Sequence, residues 1–322
     1  MVIDSLLTMK HLPFNPTPIS VLPYFSRELQ INLISKRDDL FAEAGGGSKA
    51  RMLQYILADV KPTNYDVLLT AGGPCSNFNR ACALMCAKIG VPMHLVEYTD
   101  TPHEWESLNY FLCNLAGVRK TRCEKSYVAD TIEKVVEKYQ EQGWNVKKVY
   151  GEGRSVEGVY AYYDAVRELK NQVDSVDGVF LACGTGTTLT GVCAGMQEFF
   201  PNCRVHAISV ARTWEIERKI LLEDMEMLNN YLQTNYNFNN LIFSDSYLCG
   251  GYDKTTTPLL NTVKECISKE GMIIDPCYSG KAFYGMVQTI KENVVEYYSR
   301  NVLFWNTGGI INLLSMRNEY EF

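Results

Sequence analysis

The sequence predicts an α/β protein built on mostly parallel sheets, and three observations carry that expectation. Short apolar runs alternate with helix-length amphipathic segments, the pattern of parallel strands joined by crossover helices. Glycines cluster just after three of those runs, as AGGP (71–74), CGTGTT (183–188) and NTGG (306–309). Open α/β sheets bind ligands beyond the carboxyl ends of their strands, so three distant loops can converge on one site. The 322 residues, 46% apolar and 21% charged, have ordinary globular composition. They can bury a large core, in about two domains or one large one.

The expected strands are INLISK (31–36), DVLLTAG (66–72), MHLVEY (93–98), VKKVYG (146–151), GVFLACG (178–184), RVHAISV (204–210), MIIDP (272–276) and NVLFWNTG (301–308). Between them, ARMLQYILADV (50–60), NFNRACALMCAKIG (77–90), TIEKVVEKYQEQG (131–143), VYAYYDAVRELKNQV (159–173) and TPLLNTVKECISKEG (257–271) repeat apolar residues at i, i+3 and i+4. That is helical period. The prolines of PFNPTP (13–18) indicate an extended arm with no evident role.

Composition excludes several classes. A net charge of -6 with no basic run argues against nucleic acid or an anionic membrane as partner. The N-terminus lacks a basic stretch followed by a long apolar one and does not read as a signal peptide. No window approaches the ~20 apolar residues of a membrane span. Eleven scattered cysteines, with Cys82 and Cys86 the nearest pair, make no disulfide framework. The four histidines, His11, His94, His103 and His206, are far apart, so no metal site is expected. The reading is a reducing, cytoplasmic compartment with mostly buried thiols.

Four stretches can carry chemistry. CGTGTTLTG (183–191) joins a strand to a helix. Its glycine amides, threonine hydroxyls and helix start make a phosphate cradle from Cys183, Gly184, Thr185, Gly186, Thr187 and Thr188. It is no dinucleotide fingerprint, because Leu189 stands at the third glycine, and no Walker loop follows; a plain tight turn is the alternative. In AGGPCSNFNR (71–80), Ser76 and Asn77 are good helix caps, or face a ligand as proton relay and hydrogen-bond donor. In DPCYSGKAFYG (275–285), Tyr278 either packs or transfers protons. In GGGSKARMLQY (45–55), Lys49 is either solvated or an activated amine able to bond a carbonyl.

Taken in order, KRDDL (36–40), GGGSKARMLQY, TAGGPCSNFNR (70–80), ACGTGTTLTG (182–191), IDPCYSGKAFYGM (274–286) and VLFWNTGG (302–309) resemble one family. It is the D-cysteine desulfhydrases and 1-aminocyclopropane-1-carboxylate (ACC) deaminases, a branch of the fold-type II, tryptophan-synthase-β-like pyridoxal-phosphate enzymes. GEGRSVEGVYAY (151–162) looks like that family's glycine-rich segment ahead of a helix. The resemblance runs from about residue 30 to the C-terminus. It implies two open, twisted, mostly parallel sheets flanked by helices. A larger cofactor domain (1–51 and 166–322) and a smaller inserted domain (52–165) would enclose the substrate. It implies a homodimer as well.

The resemblance also implies site roles. Lys49 matches the lysine that holds pyridoxal 5'-phosphate covalently. Asn77 matches the asparagine at the cofactor's 3′-oxygen, and Ser76 the serine near the substrate carboxylate or reacting carbon. The 184–188 loop matches the phosphate-binding loop, Tyr278 and Tyr252 two active-site tyrosines, and Thr307 the threonine near the pyridine nitrogen. Several positions depart from the pattern. Ser48 replaces an asparagine, Met52-Leu53-Gln54 a basic-Leu-acidic run, and Phe78-Asn79 a small or polar pair. Ser279 stands where ACC deaminases carry a glutamate linked to the pyridine nitrogen and to ring opening, which argues against that activity.

The expected reaction is α,β-elimination from a small amino acid, giving a 2-oxo acid, ammonia and the leaving group. A β-replacement synthase making a non-standard amino acid and an ACC deaminase are the alternatives. A non-catalytic cofactor-binding protein is a further one, opposed by the presence of Lys49, Ser76, Asn77 and Tyr278.

Overall fold

The computed structural model describes residues 9–99, 106–149 and 154–317. Strands β1 (Ile19–Val21), β2 (Asn32–Arg37), β10 (Asn301–Asn306), β7 (Gly178–Cys183), β8 (Arg204–Ser209) and β9 (Leu241–Ser244) form one sheet in that spatial order. All its pairings are parallel except β1 with β2. A second sheet, entirely parallel, takes the order β5 (Arg119–Arg122), β4 (Met93–Glu97), β3 (Val67–Gly72) and β6 (Val146–Lys148). The twelve helices of the described residues are α1 (Pro23–Leu29), α2 (Ser48–Ile56), α3 (Asn77–Ile89), α4 (Leu108–Leu115), α5 (Val128–Gln140), α6 (Val156–Lys170), α7 (Thr187–Phe199), α8 (Trp214–Leu232), α9 (Thr257–Glu270), α10 (Ser279–Glu292), α11 (Val294–Tyr297) and α12 (Ile310–Ser315).

The expected α/β architecture with two mostly parallel sheets is present, and seven of the eight expected strands form. The run MIIDP does not. Met272 and Ile274 are buried, but β10, the strand beside them, already has β2 on one edge and β7 on the other. The carbonyl of Ile273 is instead taken by the side chain of Asn306 at 3.1 Å. Three strands were not anticipated. β5 reads RKTR and β1 and β9 are short edge strands, and edges need no continuous apolar run. The residues 150–153, which hold the end of the expected 146–151 strand and the start of the glycine-rich segment, lie outside the described residues, as does His103.

Strand β7 is buried at every position, as a central parallel strand covered on both faces must be. Helix α6 packs on α7 so closely that a Cβ on Gly191 would lie 2.2 Å from the carbonyl oxygen of Val159. Eight of the eleven cysteines are buried thiols.

The proline-spaced arm has a structural task. Thr17 donates its hydroxyl to Asp38 at 2.8 Å, and its carbonyl accepts from the buried Lys36 at 2.8 Å. Leu12 N–H donates to the carbonyl of Gln54 on α2 at 2.9 Å. The arm thus closes a buried charge cluster under the first turn of α2. There Arg51 pairs with Asp38 and with Glu168 of α6.

Candidate active site

The carboxyl ends of β3, β7 and β10 open into one cleft of about 740 Å³, with the first turns of α2, α3 and α7 on its wall. The three glycine clusters therefore converge as the sequence implied.

Lys49 lies in the first turn of α2 and lines the cleft. The loop before it holds Gly45, Gly46 and Gly47 at φ of 77°, 74° and 90°, a region that side chains disfavour. A Cβ on Gly46 would meet the carbonyl oxygen of Asp39 at 2.2 Å, and one on Gly308 would meet the Cα of Gly47 at 2.7 Å. Glycine is required because two backbones touch here. The amide of Ser48 donates to the carbonyl of Thr307 at 2.9 Å, which ties the lysine's helix to the end of β10. Thr307 itself lines the cleft.

Ser76 caps α3, its hydroxyl accepting from the amide of Asn79 at 3.2 Å. It lines the cleft together with Asn77, so capping and facing a ligand are compatible. The neighbour Asn79 is buried, and its amide nitrogen donates to the carbonyl of Gly73 at 3.2 Å. It shapes the loop and does not line the cleft.

The loop between β7 and α7 has Gly186 at the helix N-cap, with no side chain capping the first turn. The amides there are available to an anion. Cys183, Gly184, Thr185, Gly186 and Thr188 line the cleft. Thr187 differs. It is fully buried, and its hydroxyl points to Asp224 at 3.5 Å, so only its backbone belongs to the loop. The thiol of Cys183 also turns away, donating to Glu217 at 3.4 Å.

Tyr278 and Tyr252 line the cleft, joined by a hydrogen bond between their hydroxyls. Buried Asp275 accepts from the amides of Cys277, Tyr278 and Ser279 at 3.1, 3.0 and 2.9 Å. Its hold on the start of α10 fixes the Tyr278 backbone. Ser279 is fully buried and donates its hydroxyl to Asp275 at 2.7 Å. Its hydroxyl is held by the Asp275 carboxylate and the Asp275 amide, away from the cleft, whose lining at that end includes Thr307.

Sequence reasoning missed four charged or buried contributors. Arg80, one helical turn beyond Asn77, lines the cleft; its i, i+3 spacing was a usable signal. Arg212 lies just past the end of β8 and contacts the carbonyl of Gly184 at 3.2 Å, in a loop without glycine. Lys125 lies on the wall without any sequence cue. Lys281, fully buried, donates to the carbonyls of Gly251, Leu248 and Val210 at 2.6, 2.9 and 3.4 Å. Burial lowers its ammonium pKa. The ammonium anchors the loop that presents Tyr252. Lys281→Met takes the donor from three carbonyls and is expected to lower the unfolding free energy by about 3 kcal/mol, read by urea denaturation. An unchanged midpoint would mean that the loop holds itself.

The profile of the pyridoxal-phosphate dependent enzymes matches residues 11–308. The chain belongs to that family. This pyridoxal-phosphate dependent enzyme is 30% identical to a Pyrococcus horikoshii protein provisionally named as an ACC deaminase, over 298 residues that cover 91% of this chain and 89% of the relative. It is 26% identical to the D-cysteine desulfhydrase of Klebsiella pneumoniae over 304 residues, 91% of this chain and 92% of the relative. The crystal structure of an ACC deaminase homologue superposes with a TM-score of 0.88 at 28% identity, covering 98% of this chain and 97% of that one. The resemblance drawn from the ordered motifs is thus the family found, and pyridoxal phosphate is its cofactor. The cleft suits that group. It offers an amine, an uncapped helix N-terminus and a described wall with no carboxylate, the chemical complement of an aldehyde and a phosphate dianion.

Proposed function

We propose that the chain catalyses α,β-elimination from a small amino acid, in the manner of a D-cysteine desulfhydrase. The product would be a 2-oxo acid with ammonia and the departed β-substituent. The observation that carries this reading is the meeting of Lys49, the uncapped start of α7 and the Tyr252–Tyr278 pair in one cleft.

In this reading Lys49 holds the cofactor. The amides at the start of α7, with Thr185 and Thr188, take its phosphate, and the Asn77 amide takes the 3′-oxygen. Bound there, pyridoxal phosphate supplies a sink for negative charge developing at the substrate α-carbon. Thr307, which lines the cleft, would meet the ring nitrogen with a neutral hydroxyl, and that would leave the nitrogen less protonated than a carboxylate would. Displaced from the cofactor by the substrate amine, the freed Nζ of Lys49 would take the α-proton. Ser76 and the first turn of α3 orient the substrate carboxylate, and the Tyr278 hydroxyl, held by Tyr252, moves a proton at the leaving side. Ser279, bonded to Asp275, supports elimination over ring opening, because no acidic side chain occupies its place.

The division into a larger unit (1–51 with 166–322) and a smaller one (52–165) belongs to this reading. It is supported by the placing of the second sheet wholly between Val67 and Lys148. A homodimer in a reducing cytoplasm completes the proposal. No helix among the described residues is long and apolar enough to cross a membrane.

The test is incubation of cofactor-loaded protein with D-cysteine, L-cysteine and ACC. Sulfide and pyruvate from D-cysteine are the expected products. 2-Oxobutyrate from ACC alone would overturn the elimination assignment. A thiol-captured amino acid without pyruvate would indicate β-replacement.

A further inference from the structure

Arg80 is an anomaly that the cleft residues do not yet explain. Its side chain is 3% exposed. Buried charges are ordinarily paired, because desolvating an isolated ion is costly. Yet among the described residues no carboxylate stands within ion-pair distance of Arg80. All its acceptors are neutral. Nε donates to the carbonyl of Ala44 at 3.2 Å, and Nη2 to that of Gly46 at 3.3 Å. Nη1 donates to Asn77 Oδ1 at 2.8 Å and to Asn109 Oδ1 at 2.9 Å. Burial pulls the guanidinium down to about 10, the mark of a cation that the protein itself leaves uncompensated.

The contacts have a direction. Asn77 Oδ1 accepts from both Arg80 and, at 3.3 Å, Asn109 Nδ2. That fixes the amide with its oxygen toward the guanidinium and its nitrogen on the other side. Among the described residues nothing accepts from Asn77 Nδ2, and Asn77 lines the cleft. A hydrogen bond from a cation polarises the amide and strengthens its own N–H as a donor. The other two bonds reach Ala44 and Gly46, inside the loop that carries Lys49. Asn109 extends the network to Asn312 on α12 at 2.9 Å. One guanidinium thus ties the first turn of α3 to the glycine loop of α2.

We infer that Arg80 is the positioning residue of the cofactor site. It orients and polarises Asn77 toward an anionic oxygen in the cleft and supplies the positive charge that this anion compensates. The inference rests on the pyridoxal-phosphate reading above, in which that oxygen is the cofactor's 3′-oxygen. Arg80 acts through Asn77 and touches no reacting atom.

The experiment compares wild type with Arg80→Gln, Arg80→Met and Arg80→Lys. Gln keeps a donor of similar length without the charge, so a Met variant that fails to fold does not end the test. Each protein is loaded with pyridoxal phosphate. Its affinity is measured by fluorescence, and its visible absorption is titrated with pH. Removing a nearby cation makes proton loss harder, so the midpoint of the visible transition should move upward in Gln and Met by about one unit. Affinity should fall about tenfold. Lys should restore the midpoint more than the affinity, because it returns charge without the fork. A folded Gln variant with wild-type midpoint and affinity would overturn the inference while leaving the cofactor assignment intact. A wild type with no visible band at any pH would overturn both.

Discussion

Lys49→Ala is expected to abolish covalent attachment of the cofactor and to reduce turnover by about three orders of magnitude or more. The side chain projects from the first turn of α2 into the cleft. The helix start is fixed independently of the amine, by the Ser48 amide on Thr307 and by the Gly47 amide on the carbonyl of Asp38 at 2.7 Å. Truncation therefore removes the amine and leaves the scaffold. The variant should keep wild-type thermal stability without added cofactor and lose the visible band with it. Normal turnover of D-cysteine by this variant would mean that another group carries the chemistry.

The second large effect is on folding. Asp38→Asn should lower the unfolding free energy by about 3–5 kcal/mol. The buried Asp38 carboxylate accepts from Arg51 Nε and Nη2 at 3.0 and 2.8 Å, from Tyr162 and Trp305 at 2.9 Å each, and from Thr17 at 2.8 Å. An amide presents an N–H₂ to some of these donors and leaves Arg51 with Glu168 alone, which Lys36 shares. Burial by itself would raise the Asp38 carboxyl; the Arg51 guanidinium overrides it and holds the group below the usual carboxylate range. The sign of the pH dependence follows. The folded value is depressed, so the stabilisation is fully present above the unfolded aspartate value of about 3.9. It is lost as pH falls through the folded value. The gap between wild type and Asp38→Asn in urea should be constant near neutrality and narrow in acid. A gap that widens in acid would contradict the pairing. Because this cluster seats the first turn of α2, the variant should also weaken cofactor binding.

The parts of the fold visible in the sequence were those with their own periodicity. β7 and α7 announce themselves because GVFLACG is apolar throughout and the glycine-threonine turn marks the boundary. β5 did not, since RKTR at an edge owes its conformation to pairing with β4. MIIDP misled because apolarity reports burial, and only the neighbours decide whether a buried extended segment finds a free strand edge. The same division runs through the site. Lys49, Asn77, Ser76 and Thr307 were legible from motif and resemblance, and the structure brings them to one cleft. Thr187 looked like a hydroxyl donor, but the helical turn it opens aims it at Asp224. Lys281 was illegible for a different reason. Its partners are carbonyls far along the chain, which residue types do not encode, whereas Arg80 stood in helical register with Asn77 and only its bonds to Ala44, Gly46 and Asn109 were out of reach.

The central claim, that Lys49 bonds pyridoxal phosphate in this cleft, is tested most directly by borohydride reduction of the cofactor-loaded protein followed by peptide mass mapping. The account predicts one modified peptide, with the pyridoxyl mass on Lys49. A label confined to another lysine such as Lys125, or no stable label in protein that holds cofactor, would contradict it.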